Sequence, residues 1–232
     1  MLRDQSFQNL YDGFEGESLS YIWSRKKLSP GAAVLQSEIV RKGKQALQLT
    51  VRKGDNFERG TARTNSSERN ELYEKDKYGP LLNETYCYCF SLYIPQDFPI
   101  VSTRLVLAQW KRQDSGFDNP ILALRYQKGR LFITIQTGLE KQKFYINKQD
   151  VRDQWLDFKF QMKFSRTSGF FRAWMNNRQV LNHYGPTVHV KRNHKIDPQQ
   201  RFYFKMGLYR DTMEEPMTVY IDEFIKKHIP TI

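Results

Sequence analysis

The sequence has few cysteines, few histidines and no long apolar run. Its two cysteines, Cys87 and Cys89, stand two apart in Tyr86-Cys87-Tyr88-Cys89. Side chains two apart on a strand point the same way, and a bridge between them would strain disulfide geometry. Two free, buried thiols are therefore expected. A zinc site would need more cysteines or histidines at ligand spacing, so neither a metal nor another cofactor is expected. No stretch approaches the ~20 apolar residues of a membrane span. The opening Met1-Leu2-Arg3-Asp4-Gln5 lacks signal-peptide character, which leaves the chain either intracellular or stripped of an export signal. Helical periodicity is poor throughout, with at most a turn or two near Lys148 to Gln154, and there is no repeat or low-complexity linker. Asn65-Ser66-Ser67 and Asn83-Glu84-Thr85 match the glycosylation sequon, a pattern too short to weigh much.

Aromatic residues, at 14%, and positive charge are plentiful. Over 232 residues, 37 Lys and Arg against 25 acids give a net charge of +12. That excess steers polyanions to the surface, but nucleic acid, anionic lipid and acidic polysaccharide satisfy it equally. No zinc pattern or glycine-rich stacking motif accompanies the charge, so a nucleic-acid partner has nothing else behind it.

Period-two patterning recurs along the chain, broken by Gly, Asn, Asp and Pro clusters, and predicts strands. They are expected at Ala46 to Arg52, Glu84 to Ile94, Arg104 to Lys111, Pro120 to Tyr126, Arg130 to Gln136, Trp155 to Phe164, Gly169 to Met175, Arg201 to Tyr209 and Pro216 to Phe224. Lys128-Gly129 and Asn176-Asn177 read as hairpin turns. Trp155 to Phe164 sets Phe158, Phe160, Met162 and Phe164 against Asp157, Lys159, Gln161 and Lys163. About ten strands without a boundary predict an all-β, two-sheet antiparallel sandwich of the jelly-roll type spanning 1–232, with a concave sheet forming a groove.

Three segments put polar side chains where a core strand has no use for them. In Phe202-Tyr203-Phe204-Lys205-Met206-Gly207-Leu208-Tyr209-Arg210, alternation sends Phe202, Phe204, Met206 and Leu208 inward and Tyr203, Lys205 and Tyr209 outward. An ordinary half-exposed strand would look the same. In Leu105-Val106-Leu107-Ala108-Gln109-Trp110-Lys111, strict alternation groups Leu105, Leu107, Gln109 and Lys111 on one face. In Ser67-Glu68-Arg69-Asn70-Glu71-Leu72, Arg69 and Glu71 project together, as a surface ion pair or as a carboxylate-held guanidinium for binding an anion.

Taken in order, Arg69-Asn70-Glu71-Leu72, Gln109-Trp110-Lys111 and Tyr203-Phe204-Lys205-Met206-Gly207-Leu208-Tyr209 resemble three segments of jelly-roll alginate lyases. Tyr11-Asp12-Gly13-Phe14, Gly43-Lys44-Gln45-Ala46-Leu47-Gln48-Leu49-Thr50-Val51, Leu92-Tyr93-Ile94-Pro95 and Gly207-Leu208-Tyr209-Arg210 are similar to the glucuronan lyase and heparin lyase branch. The resemblance covers nearly the whole chain. It implies a secreted or periplasmic, monomeric polysaccharide lyase acting on a uronic-acid polymer by β-elimination, with no nucleic-acid or membrane partner. One departure stands out: Lys111 occupies the place of the histidine in the family's Gln-x-His segment.

β-Elimination requires neutralising the substrate carboxylate, removing the C5 proton and protonating the leaving O4. Arg69 and Gln109 suit the first task and Tyr203 or Tyr209 the proton transfers, with Lys111 as a possible substitute base. Glu71, Lys205 and Arg210 complete the expected substrate-binding set. Tyr203 is favoured over Tyr209 because it opens the resembling motif and shares a face with Lys205. In D-glucuronate and D-mannuronate the C5 proton and O4 lie on one side of the ring, so one tyrosine can serve both. The missing histidine tilts the expectation toward such polymers. A non-catalytic carbohydrate-binding module is the alternative, because the same fold hosts binders. A retaining hydrolase would need two carboxylates about 5 Å apart, and no segment supplies them.

Overall fold

The computed structural model describes residues 4–55, 67–113, 119–138, 140–189 and 200–230. In chain order its strands begin with β1 (Leu10–Asp12), β2 (Trp23–Ser24), β3 (Ala33–Gln36), β4 (Ala46–Val51) and β5 (Ser67–Glu74). They continue with β6 (Thr85–Tyr93), β7 (Leu105–Arg112), β8 (Leu122–Gln127), β9 (Arg130–Ile135) and β10 (Gln142–Tyr145). The last are β11 (Trp155–Lys163), β12 (Gly169–Met175), β13 (Arg178–Gly185), β14 (Phe202–Asp211) and β15 (Met217–Ile229). One sheet has the order β13-β12-β11-β6-β15-β4-β3, with β1 also on β15, and the other the order β10-β9-β8-β7-β14-β5-β2. All pairings are antiparallel. The described residues contain only short 3-10 turns, at Gln5–Phe7 and Asp76–Tyr78, and no helix long and apolar enough to cross a membrane.

Alternation builds the core. On β11, Phe158, Phe160 and Met162 are buried while Asp157, Lys159, Gln161 and Lys163 point away. The sheets meet through rings: Trp110 lies 4.8 Å from both Phe160 and Phe204, centroid to centroid. Each such buried ring contributes roughly 1.5–3 kcal/mol by leaving water. The two expected hairpin turns form with positive φ at both central residues, Lys128 and Gly129 in one, Asn176 and Asn177 in the other. The segment near Lys148 to Gln154 has no helical turn. The sequon at Asn65 and Ser66, like His194, lies outside the described residues.

Two expectations need correction. Strict alternation on β7 fails at a bulge: Val106 pairs with Arg125 and Ala108 with Leu124, which leaves Leu107 as the extra residue. Leu105 and Leu107 therefore belong to the core, whereas Gln109 and Lys111 share the opposite face with Val106. The second concerns Arg210, which faces inward and is fully buried. Its guanidinium binds the equally buried Glu68 at 2.8 Å and donates to the Met213 carbonyl at 3.2 Å. Its donors are spent on partners inside the core, which joins β14 to β5. Asn70 also faces inward, accepting from the Ser29 amide at 2.7 Å and donating to the Thr50 carbonyl at 2.8 Å.

Candidate active site

The outer face of the seven-stranded sheet is organised in lines that cross the strands. One runs Arg69–Tyr209–Val106–Arg125, each residue paired with the next across β5, β14, β7 and β8. A neighbouring line runs Tyr73–Lys205–Gln109–Ala123 over the same strands. Glu71 lies between them on β5, opposite Gly207 of β14. These lines bring Arg69, Glu71, Gln109, Lys205 and Tyr209 onto adjoining strands of one face.

Gly207 lets β14 lie close against the core beneath the cluster. Its φ of +136° is unfavourable for other residues, and a Cβ there would come within 2.4 Å of Leu49 Cδ2 and 2.5 Å of the Asn70 carbonyl. Glu71 was expected to meet substrate, but it is only 1% exposed. Its carboxylate instead accepts from the Gln109 amide and lies 3.7 Å from Arg69 Nη1, which makes it a positioning residue. The physical reason is depth: the carboxylate sits beneath the groups it orients.

Tyr209 has positive charge on both sides. The Arg69 guanidinium lies 4.0 Å from its ring centroid and that of Arg104 4.4 Å. Burial alone would raise the phenol pKa. The two arginines, with hydrogen bonds from Arg104 and Ser67, outweigh that and hold it below its ordinary value. Arg104 is anchored in turn by Asp211, at 2.6 Å. Lys205 is 5% exposed, and burial lowers its pKa to about 8; Glu71 opposes the shift, while Arg69, Lys27 and Lys111 reinforce it.

Tyr203 occupies a different neighbourhood. It is 9% exposed, packs edge-on to Tyr73 with centroids 5.3 Å apart, and has Lys205 Nζ 4.7 Å above its ring. Six residues of extended β14 separate it from Tyr209, roughly 20 Å. Lys111 pairs with Tyr203 and so belongs to that end. The described histidines are elsewhere: His183 is on β13, His228 on β15 beside Glu84 at 2.8 Å, and His189 is buried after β13. Sequence reasoning passed over Arg104 and Arg125. A signal for Arg125 was present: a lone charge alternating with Leu122, Leu124 and Tyr126 in an otherwise apolar strand.

Cys87 and Cys89 are free, the first buried and the second half-buried, on the outer face of the other sheet. Among the described residues no group of three or more His, Cys, Asp or Glu side chains could hold a metal ion.

A search of curated protein sequences finds no match. Among solved structures, the chain is similar to the endo-β-1,4-glucuronan lyase of the fungus Trichoderma reesei, with a TM-score of 0.68 at 18% identity over 95% of each chain. An alginate lyase from Pseudomonas aeruginosa aligns over 98% of this chain and 100% of its own, with a TM-score of 0.55 and 17% identity. A glycoside hydrolase family 131 catalytic domain from Coprinopsis cinerea also shares the fold, with a TM-score of 0.53 and 16% identity over 81% of this chain and 71% of that one. At these identities the likenesses establish the jelly-roll sandwich alone. The profile of the family described as Polysaccharide lyase matches residues 9–225, nearly the full length, and the chain belongs to that family.

Proposed function

We propose that this chain cleaves a uronic-acid polysaccharide by β-elimination, with Tyr209 as the proton-transfer residue. The observation that carries the reading is the phenol of Tyr209 lying between Arg69 and Arg104, on the same face as Gln109 and Lys205. A sugar ring over Gly207 would present its carboxylate to Arg69 and Gln109, both oriented by Glu71. Neutralising that carboxylate stabilises the charge that develops as the C5 proton leaves. The Tyr209 phenolate takes the C5 proton, the C4=C5 double bond forms, and the C4–O4 bond breaks. The same hydroxyl then returns a proton to O4, so one residue acts as base and acid.

This reading prefers Tyr209 to Tyr203, reversing the expectation drawn from the motif. A lowered phenol pKa favours the base form, and Arg69 is the direct cross-strand neighbour of Tyr209. Tyr203 and Lys111 lie too far along the groove to act on the same sugar. None of the described histidines is on the seven-stranded sheet, which suits a one-tyrosine elimination on D-glucuronate or D-mannuronate units. The glucuronan lyase likeness points the same way. A hydrolase would need a pair of free carboxylates, whereas the strand faces around Tyr209 offer the buried Glu71 and Asp211, which is bonded to Arg104. The test is incubation with glucuronan, polymannuronate, polyguluronate and heparin while following ultraviolet absorbance of the unsaturated product. Absorbance should rise with a D-uronate polymer; no rise with any of the four would refute the lyase reading.

A further inference from the structure

Two strands from Tyr209 the same face carries a cationic pocket that shares Arg104 with the Tyr209 site and whose other cations the elimination chemistry does not use. A pocket of about 210 Å³ is lined by Arg104, Arg125, Thr134, Phe132, Lys141 and Lys143. Arg125 forms its floor. It is 7% exposed, and its Nε donates to Thr134 Oγ1 at 3.0 Å. Among the described residues no carboxylate pairs with Arg125, Lys141 or Lys143; the acid bonded to a lining cation is Asp211, on Arg104. This contrasts with Arg210, which is fully buried but paired with Glu68. A guanidinium withdrawn from water without a paired carboxylate is costly, and neighbouring cations add to the cost. Burial, together with the charge of Arg104, lowers the Arg125 pKa to about 10 against the opposing charges of Tyr209 and Asp211, an unusual displacement for a guanidinium. Lys143 Nζ lies 3.9 Å from the ring centroid of Phe132 and 4.5 Å from that of Tyr145, which holds a flexible charge at the rim.

We propose that Arg125, with Lys141 and Lys143, forms a distal anion subsite that binds an acidic substituent, carboxylate or sulfate ester, on a sugar beyond the one being cleaved. Arg69, Tyr209, Val106 and Arg125 are successive cross-strand partners, so Arg125 lies two strand spacings from Tyr209, roughly 10 Å. A pyranose adds to an extended chain about what one strand spacing spans, so the bound group sits about two sugar units from the reacting ring. Val106 between them is buried, and the Arg104 guanidinium spans the interval, lining the pocket and lying 4.4 Å from the Tyr209 ring. The identification of the ends rests on the proposed lyase reading; the anion site itself does not. The site selects polymers that keep a negative group at that spacing, and shorter oligomers cannot reach it.

The test uses the full chain carrying Tyr209→Phe, to suppress turnover, with and without Arg125→Gln. Calorimetry would measure binding of a glucuronate dimer, a glucuronate hexamer and a heparin hexamer. The hexamer whose charge is accepted should bind at least tenfold more weakly to the Arg125→Gln protein, while dimer affinity changes less than twofold. A response to the glucuronate hexamer identifies carboxylate, and one to heparin alone identifies sulfate ester. Unchanged affinity for both hexamers in a folded Arg125→Gln protein would overturn the proposal. If that variant fails to fold, the Lys141→Ala, Lys143→Ala double variant serves, with the same hexamer-specific loss expected and its absence equally decisive. Arg125-dependent binding without any unsaturated product from the wild-type chain would refute the lyase reading and leave the subsite standing.

Discussion

Two arginine–glutamate pairs meet on strand β5, one linking it to β14 on the core face and the other within β5 on the opposite face. Arg210 and Glu68 face the core, both fully buried, at 2.8 Å. The carboxylate also accepts from the Gly54 amide at 2.9 Å, and the guanidinium is used up on carbonyls and acid. Arg69 and Glu71 lie on the outer face at 3.7 Å, and Arg69 spreads its charge over Tyr209 instead of closing on its partner. Residue type is the same in the two pairs; what differs is whether the hydrogen-bonding capacity is exhausted. A saturated pair is a fastening, and an unsaturated one retains donors for a ligand.

Breaking each pair should therefore give opposite results. Arg210→Ala leaves Glu68 buried without its cation and should cost about 3–5 kcal/mol in denaturant unfolding. Arg69→Ala also leaves a buried carboxylate, but Glu71 keeps its bond from Gln109, and the loss should be smaller than for Arg210→Ala. Equal destabilisation would erase the distinction. In activity the order inverts: on the lyase reading, Arg69→Ala should lower kcat/KM on the best polymer by about 10²-fold or more, the scale of losing a charge-stabilising donor.

Tyr209→Phe sharpens the comparison, because it removes the hydroxyl beside the unsaturated arginine and leaves the packing. A loss of about 10²-fold in rate is expected, against a much smaller one for Tyr203→Phe. The reverse ranking would restore the Tyr203 assignment. Lys111→Ala should retain activity, and a dead enzyme would show that this lysine has taken over the work of the family's histidine.

A smaller effect tests Lys205 through pH. Its folded pKa of about 8 lies below the ordinary lysine value of about 10.4. Between those values the unfolded chain holds a proton that the folded chain has released, so stability should rise with pH across that window. Lys205→Met should flatten the rise seen in unfolding curves at pH 8 and pH 10. The slightest effect is on the far sheet. Cys87, 3.9 Å from Cys89, is lowered to about 7 by the hydrogen bond from its neighbour; burial opposes this, and Lys159 and Lys227 assist it. Alkylation of Cys87 should gain speed through neutral pH, while an ordinary thiol profile would mean the pair does not interact.

Much of the fold was legible because apolar and polar residues alternate cleanly on β4, β11, β12 and β14. The short or heavily polar strands β1, β2, β3, β10 and β13 were not, since their pairing is decided by partners remote in sequence. Within the site, Arg69, Gln109, Lys205 and Tyr209 could be gathered from motif and alternation. Arg210 could not be excluded, because nothing local says that Glu68 waits for it inside the core. Leu107 misled for a related reason: a bulge adds a residue without a sequence mark, and side-chain phase shifts after it. The depth of Glu71 depends on strands packed around it and has no signature in Arg69-Asn70-Glu71-Leu72.

The positions of β14 and β15 bear on how the molecule assembles. They are the last strands in sequence, yet β14 lies between β5 and β7, and β15 between β4 and β6. During synthesis the earlier strands of both sheets must wait with their central edges unpaired. Long-range pairing of this kind makes folding slow and leaves hydrophobic edges open to wrong partners. Both sheets close only when these final two strands, one in each sheet, are inserted, and the first of them, β14, carries Lys205 and Tyr209. A chain interrupted before it would lack the centre of each sheet as well as those two side chains, so no partly built form could hold the site ahead of the finished fold.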